Sequence, residues 1–165
     1  MLASYLYEWG DSLFLATKRG IQRLDPKTLE VGEVVVDSNF VYPRFGSQWT
    51  DKWGRFWGRS KETGIACYDP ATRKTYNREK GHQDPYGWQI FNWNPDHRRF
   101  AQEANGNTWM TTVDGEFFYF NFETGELLRH DFEYYIPKIG YDRLKTVTID
   151  RDGRVWFGTE TGEIY

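Results

Sequence analysis

The sequence predicts an all-β fold, a β-propeller segment of four four-stranded antiparallel blades with the last one incomplete. Three observations predict it. An aromatic residue is followed three positions later by a hydroxyl residue, and then by a glycine, four times along the chain: Phe14/Thr17/Gly20, Trp57/Ser60/Gly64, Trp109/Thr112/Gly115 and Trp156/Thr159/Gly162. The aromatic anchors lie about 43, 52 and 47 residues apart, which is the period of a propeller blade rather than of a helical repeat. Aromatics make up 19% of the 165 residues, as 8 Trp, 11 Tyr and 12 Phe. No stretch of about ten residues carries apolar side chains at helical spacing, so helix should be nearly absent.

Each element of the repeat has a local physical reason. An acid ends strand A in every copy, at Glu8, Asp51, Glu103 and Asp150, and a glycine follows three residues later at Gly54, Gly106 and Gly153, with Asp11 in that place in the first copy. Asp or Glu at the first corner of a tight turn and Gly at the last is type I turn chemistry, so the four acids are expected to be turn formers. Strand B carries the anchor; Phe14, Trp57, Trp109 and Trp156 should pack between neighbouring blades. Strand C follows the second glycine and stops at Asp25-Pro26, Asp69-Pro70 or Asn121, with Thr28, Thr72 and Thr124 three residues on. Proline removes a ladder donor, so the chain must reverse there into strand D. The fourth copy, Thr146 to Tyr165, stops inside strand C. The whole chain, 1–165, reads as one segment with blades at about 2–40, 44–79, 99–132 and 144–165, and with long loops at about 80–98 and 133–143.

Bulk properties exclude several classes. Lys plus Arg is 21 against 24 Asp plus Glu, a formal charge of −3, with no basic stripe for nucleic acid. The single cysteine, Cys67, rules out an intrachain disulfide and reads as a small core residue of strand C. The first residues, Met1 to Glu8, have neither a basic n-region nor an apolar h-region. No run long enough to span a bilayer occurs anywhere, so membrane insertion is not expected. His82, His97 and His130 have acidic neighbours, but pairs such as Asp96-His97 are too short to make a metal or general-base motif. No cofactor, metal or catalytic residue is expected.

The last copy, with Asp150-Arg151-Asp152-Gly153, Trp156-Phe157-Gly158-Thr159 and Gly162-Glu163-Ile164-Tyr165, resembles the two-component regulator propeller repeat. Copy two follows the same pattern through Trp57-Gly58-Arg59-Ser60 and Tyr68-Asp69-Pro70, whereas Phe14 and Phe120-Asn121-Phe122 depart from it in copies one and three. The resemblance implies a sensor-type propeller, extracytoplasmic where such blades precede histidine kinases, often recognising glycans. More distantly the pattern resembles streptogramin lyases, which are propellers with a metal-assisted elimination site. The matching positions are structural ones, so the resemblance carries over no catalytic residue.

Function is therefore expected to be non-catalytic, as a ligand-binding or interaction module. The alternatives are a lyase-type enzyme or a protein-interaction scaffold. A closed propeller has about four to eight blades, so the chain is expected to complete a ring as a homodimer or with the rest of a longer chain. Any ligand should sit on the face formed by the D–A connections and B–C turns, where the two long loops mix aromatic rings with polar groups. Arg44, Trp88, Trp93 and Tyr135 are the candidate contacts for a glycan or another polar ring, since sugar C–H faces stack on aromatics.

Overall fold

The computed structural model describes residues 3–17, 19–37, 48–60, 64–79, 89–92, 97–112, 116–130 and 144–165. Among these, the only helical element is one 3₁₀ turn at Gln89–Asn92. The first sheet holds β1 (Ala3–Trp9), β2 (Ser12–Thr17), β3 (Gly20–Leu24) and β4 (Val31–Asp37) in sequential antiparallel order. The second holds β5 (Trp49–Thr50), β6 (Phe56–Ser60), β7 (Gly64–Asp69) and β8 (Lys74–Asn77), and the third β9 (His97–Gln102), β10 (Thr108–Thr112), β11 (Phe117–Phe120) and β12 (Leu127–His130). A fourth sheet pairs β13 (Leu144–Ile149) with β14 (Val155–Thr159), and its third strand is reduced to a bridge between Gly158 and Ile164. The described residues fall into two compact units. One contains the first two sheets with Phe91 and Asn92; the other contains Gln89, Ile90 and the last two sheets.

The A–B hairpin tips show why an acid recurs. Asp51 Oδ1 accepts the main-chain N–H groups of Trp53 and Arg55, both at 3.0 Å, and Oδ2 accepts Arg55 Nε at 2.6 Å and the Trp57 indole N–H at 2.7 Å. Gly54 closes the turn by donating to the Asp51 carbonyl at 2.8 Å, and it holds φ +78°. This is a type I turn followed by a left-handed residue, the conformation that favours glycine. Glu103 and Asp150 repeat the link, accepting the indole N–H of Trp109 at 2.7 Å and of Trp156 at 2.8 Å. The acid therefore shapes the tip and also ties it to the anchor six residues on.

Glu8 is the exception. It lies within β1, opposite Leu13, and the first hairpin turns instead through Gly10 and Asp11 alone, since Trp9 pairs with Ser12. A two-residue tip with Gly10 at φ +54° needs no acid cap, and Phe14 has no indole N–H to offer.

The C–D turns are capped by side chains as well. Asp25 Oδ1 accepts the N–H groups of Lys27 and Thr28, Asp69 Oδ1 those of Ala71 and Thr72, and Asn121 Oδ1 those of Glu123 and Thr124. Four residues past each cap the chain turns left-handed, at Leu29 (φ 58°), Arg73 (φ 57°) and Gly125 (φ 75°). Hydrogen bonds from the Trp156 indole and the Arg154 N–H hold the Asp150 carboxyl below its usual range, and the Thr28 and Lys27 N–H groups do the same for Asp25. A carboxyl whose pKa is lowered by folding stabilises the fold above its unfolded value and loses that effect as pH falls through the folded one, so these turns weaken in acid.

Packing between the first two blades is aromatic. Tyr7, Phe14, Ala16, Ile21 and Val36 meet Phe56, Ala66 and Tyr68 in one buried cluster. Tyr7 stacks on Phe56 at 4.6 Å, and its hydroxyl donates to the main-chain carbonyl of Trp57 at 3.0 Å. Trp57 is fully buried, stacked on Trp49 at 5.0 Å and Phe91 at 5.9 Å, opposite the buried Cys67. In the other unit Phe117, Leu144, Val147 and Phe157 form the core, with Phe117 edge-on to Phe157 at 4.4 Å.

The anchors do not all bury as expected. Phe14 and Trp57 are buried, and Trp109 is half-buried between Phe117 and Tyr119, but Trp156 is 41% exposed. Trp109 rests on rings supplied by β11, its third strand. Only a bridge stands in that place beside Trp156, so no ring there covers it.

Two outcomes follow from the turns. Asp51→Asn should cost about 2–4 kcal/mol, because the fully buried carboxylate that accepts from both the Trp57 indole N–H and Arg55 Nε is lost. Asp150→Asn should cost clearly less in the same urea titration, since Asp150 and Trp156 are more exposed than Asp51 and Trp57; equal losses would show that burial does not set the strength of the link. Leu29 is 70% exposed, so Leu29→Gly removes backbone strain at little cost in packing. It should raise stability by up to about 1 kcal/mol, while Leu29→Val should lower it; a midpoint that drops for the glycine variant would refute the strain account.

Candidate functional site

In each complete blade the end of strand A, the start of B, the end of C and the start of D lie together at one end of the strands, and the B–C turns lie at the other. A cavity opens at the first of these ends, between blades one and two. Its volume is about 460 Å³, within the range of small-ligand sites. Trp9 and Phe14 come from the first hairpin, Arg23 from the end of β3, Glu33 from β4, and Tyr68 and Arg73 from the C–D turn region of the second blade.

Local structure positions each of these groups. Trp9 is 38% exposed, yet its ring lies against the second blade's hairpin tip: a Cβ on Gly54 would come within 2.7 Å of Trp9 Cδ1. Gly54 thus serves twice, by turning left-handed and by leaving room for the indole. Arg23 sits opposite Phe14 across the β2–β3 ladder, and its Nη2 reaches Ser12 Oγ at 3.4 Å. Arg73 holds the left-handed corner of the turn that Asp69 caps. Tyr68 is buried by the ring cluster around Phe56. Burial pushes its hydroxyl pKa up, against the pull of Arg73, so it stays protonated and able to donate at neutral pH. Nearby Asp25 and Asp69 spend their carboxylates on the main-chain N–H groups of their own turns.

The arrangement offers aromatic faces, a neutral phenol, two guanidinium groups and one carboxylate around a space the size of a small ring-shaped molecule. Such a lining can hold a polar ligand by stacking and charge-assisted hydrogen bonds.

Arg44, Trp88, Trp93 and Tyr135 are outside the described residues, as is His82. His97 begins β9, and His130 ends β12 with its ring 5.3 Å from Trp109, in an aromatic cluster. Sequence reasoning did not single out the cavity residues Trp9, Arg23, Tyr68 and Arg73, because it looked for a ligand at the end of the strands that carries the long loops. One signal was present: Trp9 is a tryptophan at the first hairpin tip outside the anchor position, with no place in the repeat.

The sequence matches no protein-family model and no curated protein. Solved structures do match. One is the extracellular domain of a hybrid two component system from B. thetaiotaomicron, with a TM-score of 0.63 at 17% identity over 99% of this chain and 23% of that one. Another is a catalytically inactive virginiamycin B lyase from Staphylococcus aureus, solved with quinupristin, with a TM-score of 0.57 at 14% identity over 97% of this chain and 53% of that one. A third is the computationally designed Ika4 protein, with a TM-score of 0.60 at 13% identity over 99% of this chain and 89% of that one. This chain spans 21–23% of the length of the B. thetaiotaomicron extracellular domains it matches. At such identities the likeness is one of fold: the chain is an all-β propeller segment, built like the extracellular domains of two-component systems and like a streptogramin lyase propeller.

Proposed function

We propose that the chain is a non-catalytic recognition module of a sensor-type propeller that binds a polar, ring-shaped ligand such as a glycan. The observation that carries the reading is the cavity between blades one and two, where Trp9, Phe14 and Tyr68 stand beside Arg23, Arg73 and Glu33. Sugars need both kinds of group, flat apolar faces for their C–H surfaces and donors or acceptors for their hydroxyls. The fold shared with extracellular sensor domains supports the same reading.

A lyase role is weaker on the chemistry of the repeat acids. Asp51, Glu103 and Asp150 each accept an indole N–H, and each has its second oxygen engaged by a further group of its own turn. Carboxylates held in this way hold hairpins together, with their oxygens turned to groups of their own turn.

Ring completion is part of the proposal. Two copies would bring about eight blades together, within the range of closed propellers, and the alternative is completion by the blades of a longer chain.

Two measurements test this. Screening the chain against immobilised glycans should return binding that is lost on Trp9→Ala; a clean negative would favour an interaction scaffold instead. Light scattering after size exclusion should give about twice the 19.6 kDa chain mass if two copies close the ring, whereas a monomer across a tenfold concentration range would remove the dimer.

A further inference from the structure

The cavity brings two arginines from different blades into one lining. The chain carries a formal charge of −3, and several of its cations already have acidic partners: Arg55 with Asp51, Arg129 with Glu116, Lys145 with Glu160, and Arg154 with Asp150 and Asp152. Arg23 and Arg73 have no ion pair among the described residues, and both line the same cavity. Arg23 makes one long hydrogen bond to Ser12, and Arg73 is presented by a strained corner of fixed shape. Glu33 is the one carboxylate of the lining. Two guanidiniums against one carboxylate make the lining itself net positive, while the carboxylates of Asp25 and Asp69 beside it are turned to the N–H groups of their own turns. An arginine fork matches a carboxylate in shape as well as in charge.

The geometry points to a carboxylate-bearing sugar as the ligand of this cavity, its ring against Trp9 and its carboxylate held by Arg23 and Arg73, with Tyr68 and Glu33 left to meet hydroxyls. This rests on the reading of the chain as a recognition module and adds the ligand's charge to it. Trp9 is suited to the stacking role because the second blade fixes its ring: Gly54 has no Cβ to displace it. A preformed stacking face lowers the ordering cost of binding.

The test is calorimetric titration of the whole chain with oligosaccharides of galacturonic, mannuronic and glucuronic acid, each beside its methyl ester, which keeps the shape and removes the charge. At least one acid should bind about tenfold or more tightly than its ester, and the affinity should fall as salt rises. Arg23→Gln and Arg73→Gln should each weaken the acid about tenfold and leave the ester unchanged. Both positions are exposed, and glutamine at position 73 meets the same left-handed corner as arginine, so unchanged melting curves are expected to accompany the loss. Equal binding of acid and ester overturns the inference, as does a loss confined to Trp88→Ala or Trp93→Ala. Binding of neutral sugars alone overturns it and leaves the recognition reading standing; no saccharide binding at all overturns both.

Discussion

Burying a carboxylate is costly unless its oxygens are filled, and Asp51 fills both with four hydrogen bonds from its own hairpin. The rest of the first unit depends on that local closure. The carboxylate shapes the turn, orients Arg55, and fixes the Trp57 indole in the plane where Trp49 and Phe91 stack on it. The carbonyl of the same Trp57 then receives the Tyr7 hydroxyl from the neighbouring blade. Once the two sheets are joined there, Gly54 meets Trp9 and the cavity acquires its walls.

The same chemistry has different weight in different copies. Asp51 and Trp57 are buried, Glu103, Trp109 and Asp150 are partly so, and Trp156 is exposed. Hydrogen-bond lengths barely change, 2.7, 2.7 and 2.8 Å. What changes is how much solvent competes for the groups, so the bond organises a core in the second blade and only a turn in the fourth.

The blades were legible in the sequence because their signals are local. Asp-x-x-Gly tips, Asp-Pro and Asn turns and the spacing from anchor to hydroxyl to glycine all act within a few residues of where they are read. Thr112 and Thr159 illustrate this, since their hydroxyls accept the N–H groups of Glu116 and Glu163 across the B–C turn. Glu8 was misread because the first tip is two residues long, so the acid slipped back into the ladder. The indole bond was missed for a different reason: six residues separate its partners, and only the fold of the hairpin brings them together. The cavity is harder still. Arg23 and Arg73 belong to different blades, and nothing local says that the end of β3 and the second C–D turn share a wall.

The link from acid to anchor begins and ends inside one hairpin, and the Tyr7 hydroxyl reads a main-chain carbonyl rather than a side chain. That hydrogen bond asks nothing of the residue at position 57 beyond its carbonyl, and the ring cluster around Phe56 and Tyr68 supplies the side-chain part of the joint. Hairpins that carry their own fastening tolerate different lengths of chain between them. The anchor spacing, which changes by several residues from one copy to the next, is what that tolerance permits.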